Sequence, residues 1–152
     1  AYNIEDLRRK AKKRLPRGIF EYVDSGAEDQ VALRHNRAVY QSLKIKNRVL
    51  IDVSGRSTQT EIFGRKIAMP YGISPTASAG LMSEGGEIGL AKAAARMGVP
   101  CTVATNSLTS LDDIYKSAGG NLWFQLYMWV DVGLRMAFVE RVRDVGFETL
   151  LV

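Results

Sequence analysis

The sequence predicts an α/β protein built from parallel βαβ units, and three observations carry that reading. From Tyr71 onward, short apolar runs bounded by turn residues alternate with longer segments of helical periodicity. Those short runs are almost continuously apolar, as strands covered on both faces by crossover helices must be. The 152 residues include 46% hydrophobic and 24% charged side chains, the balance of a globular chain with a core. Two closed forms satisfy the alternation, an open doubly wound sheet or part of a barrel, since eight barrel units need roughly 200 to 250 residues.

The first forty residues read as helices. Asn3 is placed to cap a helix with Asp6 in its first turn, and Ile4, Leu7, Ala11 and Leu15 recur at helical spacing. Pro16 ends that helix and starts the next, Arg17 to Asp24, which Ser25-Gly26 stops; a third helical pattern runs from Glu28 to Val39. Residues 42–70 change to short β-type runs at Val49 to Ile51, Thr60 to Phe63 and Lys66 to Met69, with a hairpin expected around Gly64. The alternation then runs strand Tyr71 to Ser74, helix Glu87 to Met97, strand Cys101 to Ala104, helix Leu111 to Ser117, strand Leu122 to Leu126, helix Val132 to Val145 and strand Thr149 to Val152. The sequence stops inside an apolar strand, which reads as a truncation, and 1–152 is expected to be the N-terminal part of a single domain.

Charge and cysteine usage exclude several classes. The net charge is +5, much of it in the first helix (Arg8, Arg9, Lys10, Lys12, Lys13, Arg14), where a solvated face explains it better than a nucleic-acid surface. Cys101 is the only cysteine, so there is no intrachain disulfide, and no leader or long apolar span appears. The expected location is the cytoplasm, with membrane attachment through a segment beyond Val152 left open.

Parallel sheets place ligands at the carboxyl ends of their strands, and three such ends are chemically distinctive. Ser74-Pro75-Thr76-Ala77-Ser78-Ala79-Gly80 is small enough for a flat ligand to approach its backbone, while Ala104-Thr105-Asn106-Ser107 and Gln125-Leu126-Tyr127 offer hydroxyl and amide groups. Turn and capping chemistry is the bland alternative for each. Gly85-Gly86-Glu87-Ile88-Gly89 matches neither the dinucleotide nor the Walker pattern, and Glu84 and Glu87 suit the positive end of a helix themselves. His35, the sole histidine, lies away from every strand end; Cys101 reads as a small core residue; no metal cluster is present.

Taken together, Leu15-Pro16, Phe20-Glu21-Tyr22, Ser25-Gly26-Ala27-Glu28-Asp29, Asn36-Arg37, Met69-Pro70, Pro75-Thr76-Ala77 and Trp123-Phe124-Gln125-Leu126-Tyr127 occur in order and at matching spacing. This pattern resembles the FMN-dependent 2-hydroxy acid oxidases and dehydrogenases, a family that includes glycolate oxidase, lactate oxidase and (S)-mandelate dehydrogenase. The resemblance covers essentially the whole chain but only about the first half of the family's domain. It implies a TIM (β/α)8 barrel with about its first four βα units present, preceded by helices and a hairpin. It also implies FMN as cofactor and oxidation of a small (S)-2-hydroxy acid to a 2-oxo acid, with oxygen or another electron acceptor and a tetrameric assembly.

The resemblance implies roles position by position. Tyr22 would bind the substrate carboxylate, Pro75, Thr76 and Ala77 would line the flavin, and Gln125 would bond its pyrimidine edge. Tyr127 would reach the substrate and act in catalysis. Many family members have a serine touching the flavin where this chain has Ala104 followed by Thr105, so Thr105 is expected to supply the hydroxyl. Asn106 stands where glycolate oxidase has tryptophan, implying a hydroxy acid larger than glycolate. The family's lysine beside the flavin, its histidine base, its substrate-binding arginine and its phosphate loops correspond to no residue up to Val152. Two other readings stay open: a noncatalytic half-barrel or interaction module, and a nicotinamide-binding doubly wound domain, disfavoured by the missing glycine fingerprint.

Overall fold

The computed structural model describes every residue, Ala1–Val152, and the chain divides into two compact units, Ala1–Arg56 and Ser57–Val152. The first unit holds three helices: α1 (Ile4–Arg14), α2 (Arg17–Asp24) and α3 (Val31–Ser42). Asn3 caps α1 as expected, its side chain accepting from the Asp6 N–H at 2.8 Å. The basic residues of α1 are solvated or paired, Arg8 with Asp24 and Glu5, and Arg9 with Asp6. Phe20 of α2 is the buried side chain of the unit, under the Arg8 guanidinium at 5.9 Å and the Lys12 ammonium at 6.0 Å. Helix α3 starts three residues later than the pattern suggested, because Glu28 (φ 46°) and Gln30 (φ 58°) are left-handed and hold the preceding turn out of the helix. Val49 to Ile51 forms no strand, having nothing to pair with, and Leu50 is fully exposed.

The second unit opens with the expected hairpin, β1 (Thr60–Ile62) and β2 (Arg65–Ile67), antiparallel. Its turn places Phe63 at φ 51° and Gly64 at φ 75°, the pair of positive φ angles that a two-residue hairpin loop of right-handed twist requires. A 3-10 turn (Ala79–Leu81) then leads through α4 (Gly86–Met97), β3 (Cys101–Ala104), α5 (Leu111–Ala118), β4 (Leu122–Gln125), α6 (Val132–Val145) and β5 (Thr149–Leu151). The sheet is parallel in the order β3-β4-β5, with Cys101 opposite Leu122 and Trp123 opposite Thr149. The expected strand at Tyr71 to Ser74 is reduced to one parallel bridge, Ile73 to Cys101, though the Ile73 N–H reaches the Pro100 carbonyl and its carbonyl accepts from Thr102. Each chain segment thus lies beside its predecessor, and the reversal of strand order that marks a doubly wound sheet does not occur among these strands.

Packing follows from the strand pattern. All four residues of β3 are buried, whereas β4 alternates, with Leu122 and Phe124 buried and Trp123 and Gln125 half-buried. The helix-facing side of β4 builds the core: Phe124 is fully buried and meets Phe138 and Phe147 edge to face at 5.5 and 6.0 Å. On the opposite face, Phe63 of the hairpin covers Trp123 at 5.6 Å, at the end where the strands begin. Arg65 pairs there with Glu148, just before β5, and the Ala68 N–H donates to the Gly98 carbonyl at 2.9 Å. Gln125 stands at the other end of the same face.

Candidate functional site

Three loops meet at the carboxyl end of the sheet: 75–81 after the bridge segment, 105–110 after β3, and 126–131 after β4. They are joined by main-chain and side-chain hydrogen bonds. The Ser78 N–H donates to the Asn106 carbonyl at 3.0 Å, tying the first loop to the second. Ser78 adopts φ 54° and ψ 37°, a left-handed conformation that lets the small-residue loop turn back over the sheet end. The Glu87 carboxylate, only 6% exposed, accepts from the Leu108 N–H at 3.2 Å and the Thr109 hydroxyl at 3.0 Å. Burial pushes its pKa up, but the main-chain N–H groups of Glu87, Leu108 and Gly80 and the Thr109 hydroxyl outweigh that and hold it below the usual carboxylate range.

The glycine pair before it is not a phosphate cradle. A Cβ on Gly86 would lie 2.4 Å from the Ala79 carbonyl oxygen, so the helix start packs directly on loop 75–81, and the Glu87 carboxylate occupies the N-terminal turn. Capping, as the sequence suggested, is half of its role; the clamp on Leu108 and Thr109 is the half that sequence reasoning missed. A lone acidic residue at a helix entrance carries no signal of which loops fold over it.

Thr105 joins the second loop to the third. Its hydroxyl donates to the Gln125 carbonyl at 2.6 Å and accepts from the Tyr127 N–H at 3.0 Å, while its own N–H reaches the Gln125 side-chain oxygen at 3.4 Å. The hydroxyl proton expected to face a flavin is therefore already used, and a single acceptor position remains on that oxygen. The Gln125 amide nitrogen has no protein acceptor, leaving two donors at the rim. Pro75 and Ala77 are half-buried and Thr76 is exposed, so the first loop presents main chain and small side chains. The Tyr127 ring is 53% exposed and its phenol has no protein partner.

The structure thus brings Pro75, Thr76, Ala77, Thr105, Gln125 and Tyr127 to one edge of one unit. Tyr22 belongs to the helical unit, on α2, and is 66% exposed. The one charged residue in the three loops is Asp131, whose carboxylate accepts from the Leu134 N–H to cap α6, so the expected site residues themselves are neutral hydrogen-bond groups, neither bases nor cations. No cluster of His, Cys, Asp or Glu can hold a metal. Cys101 is 3% exposed, and burial pushes its thiol up to about 11, which makes it the inert core residue expected.

The donor set suits FMN. The flavin's pyrimidine edge offers carbonyl and ring-nitrogen groups, which a carboxamide with free donors can meet, and the Pro75-Thr76-Ala77 stretch has no large side chain to hold a flat ring away.

Comparison with known proteins agrees. The chain is 37% identical over 150 residues to (S)-mandelate dehydrogenase of Pseudomonas putida, covering 99% of this chain and 38% of that protein. It is 35% identical over 146 residues to an L-lactate dehydrogenase of Pectobacterium atrosepticum, covering 96% and 38%. A soluble mutant of the membrane-associated (S)-mandelate dehydrogenase from Pseudomonas putida superposes with a TM-score of 0.91 at 38% identity, over 98% of this chain and 42% of that one. A mandelate oxidase superposes at 0.92 with 34% identity, over 99% and 44%. The chain therefore spans about two fifths of the length of the relatives it matches. No helix in it is long and apolar enough to cross a membrane. The FMN-dependent dehydrogenase family matches residues 11–152, nearly the whole chain, and the chain belongs to that family.

Proposed function

We propose that these residues form the opening βα units of a TIM barrel whose full chain oxidises a 2-hydroxy acid to the 2-oxo acid with FMN. The observation that carries this reading is the half-buried Gln125 carboxamide, donors unpaired, beside a small-residue loop at the carboxyl end of a sequentially ordered parallel sheet. FMN, when bound, takes up the two electrons released as the carbinol carbon becomes a carbonyl. Gln125 donates to the cofactor's polar edge, and the backbone of Pro75, Thr76 and Ala77 lines its ring. Tyr127 and Tyr22 are substrate-binding phenols: a neutral O–H donates to a carboxylate without adding charge, and fixing the acid in one orientation lowers the barrier. The two protons lost leave to groups other than these, since none of these neutral side chains is a base.

Asn106 is exposed, and its main-chain carbonyl, held by Ser78, fixes its place in the second loop. A carboxamide is much smaller than an indole, and this supports a substrate larger than glycolate, as do the mandelate-acting relatives. The test is anaerobic mixing of the full-length protein with glycolate, lactate, mandelate and a longer 2-hydroxy acid, following flavin absorbance. Bleaching by the larger acids is expected. A bound flavin that stays oxidised with all four overturns the reaction, and faster reduction by glycolate than by the others overturns the substrate class.

A further inference from the structure

We propose that Thr105 is a positioning residue whose hydroxyl stands in for the next rung of the β3-β4 ladder and so fixes Gln125 and Tyr127. The ladder pattern shows what is replaced. The Cys101 N–H donates to the Asn121 carbonyl at 3.1 Å, and parallel pairing repeats this every second residue. Continued to residue 105, it would direct the Thr105 N–H to the Gln125 carbonyl and the Tyr127 N–H to the Thr105 carbonyl. Regular pairing ends one residue earlier, at Ala104 and Gln125. The Thr105 hydroxyl makes both missing bonds through one oxygen, donating at 2.6 Å and accepting at 3.0 Å.

The substitution of a side chain for a main-chain rung has a purpose in geometry. It lets the chain leave the sheet at Thr105 and frees the Thr105 N–H to reach the Gln125 side-chain oxygen. On its other side β4 is held by the Leu126 N–H on the Leu151 carbonyl at 2.8 Å. Tyr127 follows with its ring 53% exposed, so packing on its ring does little to fix it and the main-chain tie is what sets its direction. The inference rests on the proposed function for the roles of Gln125 and Tyr127, but the tie itself is a property of the flavin-free chain.

The test compares Thr105→Val, which keeps the shape and loses the hydroxyl, with Thr105→Ser, which keeps the hydroxyl, in the full-length protein. In flavin-free protein, amide hydrogen exchange at Tyr127 should be about tenfold faster in T105V and near wild type in T105S, since two hydrogen bonds are lost in one and retained in the other. FMN should bind several-fold more weakly to T105V, with an altered flavin absorption band and a lowered kcat, and T105S should restore all three. Unchanged Tyr127 exchange in flavin-free T105V overturns the proposal even if FMN binding weakens, because that pattern marks a direct flavin contact. Wild-type FMN affinity, spectrum and kcat in T105V overturn it as well. Wild-type protein that binds no FMN would instead refute the proposed function, and the exchange comparison would still decide the tie.

Discussion

Replacing Glu87 with glutamine isolates the buried carboxylate that joins the first two loops. The charged side chain accepts from Leu108, Thr109, Gly80 and its own N–H. Glutamine keeps the length but turns one acceptor oxygen into an NH2 group. The Thr109 hydroxyl can rotate to accept from that group while the remaining oxygen keeps the Leu108 N–H, so the substitution removes the charge that strengthens these bonds. Bonds to a charged group contribute about 1.5–3 kcal/mol each, against about 0.5–1.5 kcal/mol for neutral ones. Desolvation of the carboxylate offsets part of the gain, and a net loss of about 1–3 kcal/mol follows. The pH dependence separates charge from packing. A carboxyl whose folded pKa lies below its unfolded value of 4.5 gives its full contribution above that value and loses it as pH falls through the folded one. Urea denaturation of the full-length protein should therefore show a wide gap between wild type and E87Q at pH 7, narrowing steadily below pH about 4.5. A gap under about 1 kcal/mol at pH 7, or one that does not change between neutral and acid pH, would refute this account.

Three further outcomes are expected. Tyr22→Phe in the full-length enzyme removes one bond to a charged carboxylate and should reduce kcat/KM by about 1.5–3 kcal/mol in transition-state terms; unchanged steady-state constants would remove Tyr22 from the site. Gly86→Ala adds a Cβ 2.4 Å from the Ala79 oxygen, and the forced shift should destabilise by about 1–3 kcal/mol despite the better helix propensity of alanine, as a thermal melt would show. Cys101 should resist a thiol reagent at neutral pH until the protein unfolds, because the thiol is buried and its pKa is near 11.

The βα alternation was legible because each element announces itself locally. Helices α4 to α6 carry 3.6-residue periodicity and defined stops at Gly98, Gly119 and Gly146, and the strands are short apolar runs between them. Tyr71 to Ser74 has the same local pattern, yet pairs at one residue, since pairing depends on what stands on its far side as well as on β3. Val49 to Ile51 fails for the same reason. At the site, Gln125 and Tyr127 were recognisable as polar residues ending an apolar strand. The work of Thr105 was not, because a threonine after a strand reads as turn chemistry until the exact end of the ladder is known. Glu87 lay hidden likewise, its partners being over 20 residues away in sequence.

The two ends of the short parallel strands are held by different forces. Where the strands begin, Phe63 covers Trp123 and Arg65 meets Glu148; where they end, hydrogen bonds made by the Ser78 N–H, the Glu87 carboxylate and the Thr105 hydroxyl stitch loops together. Four-residue strands separate these ends by roughly 13 Å. The Asn106 side chain, exposed and outside both the core and the stitching groups, is therefore free to vary with little effect on folding. A lineage could change its substrate at that position while the core and the stitching groups stay fixed, so adaptation to a new acid would proceed without passing through an unfolded ancestor.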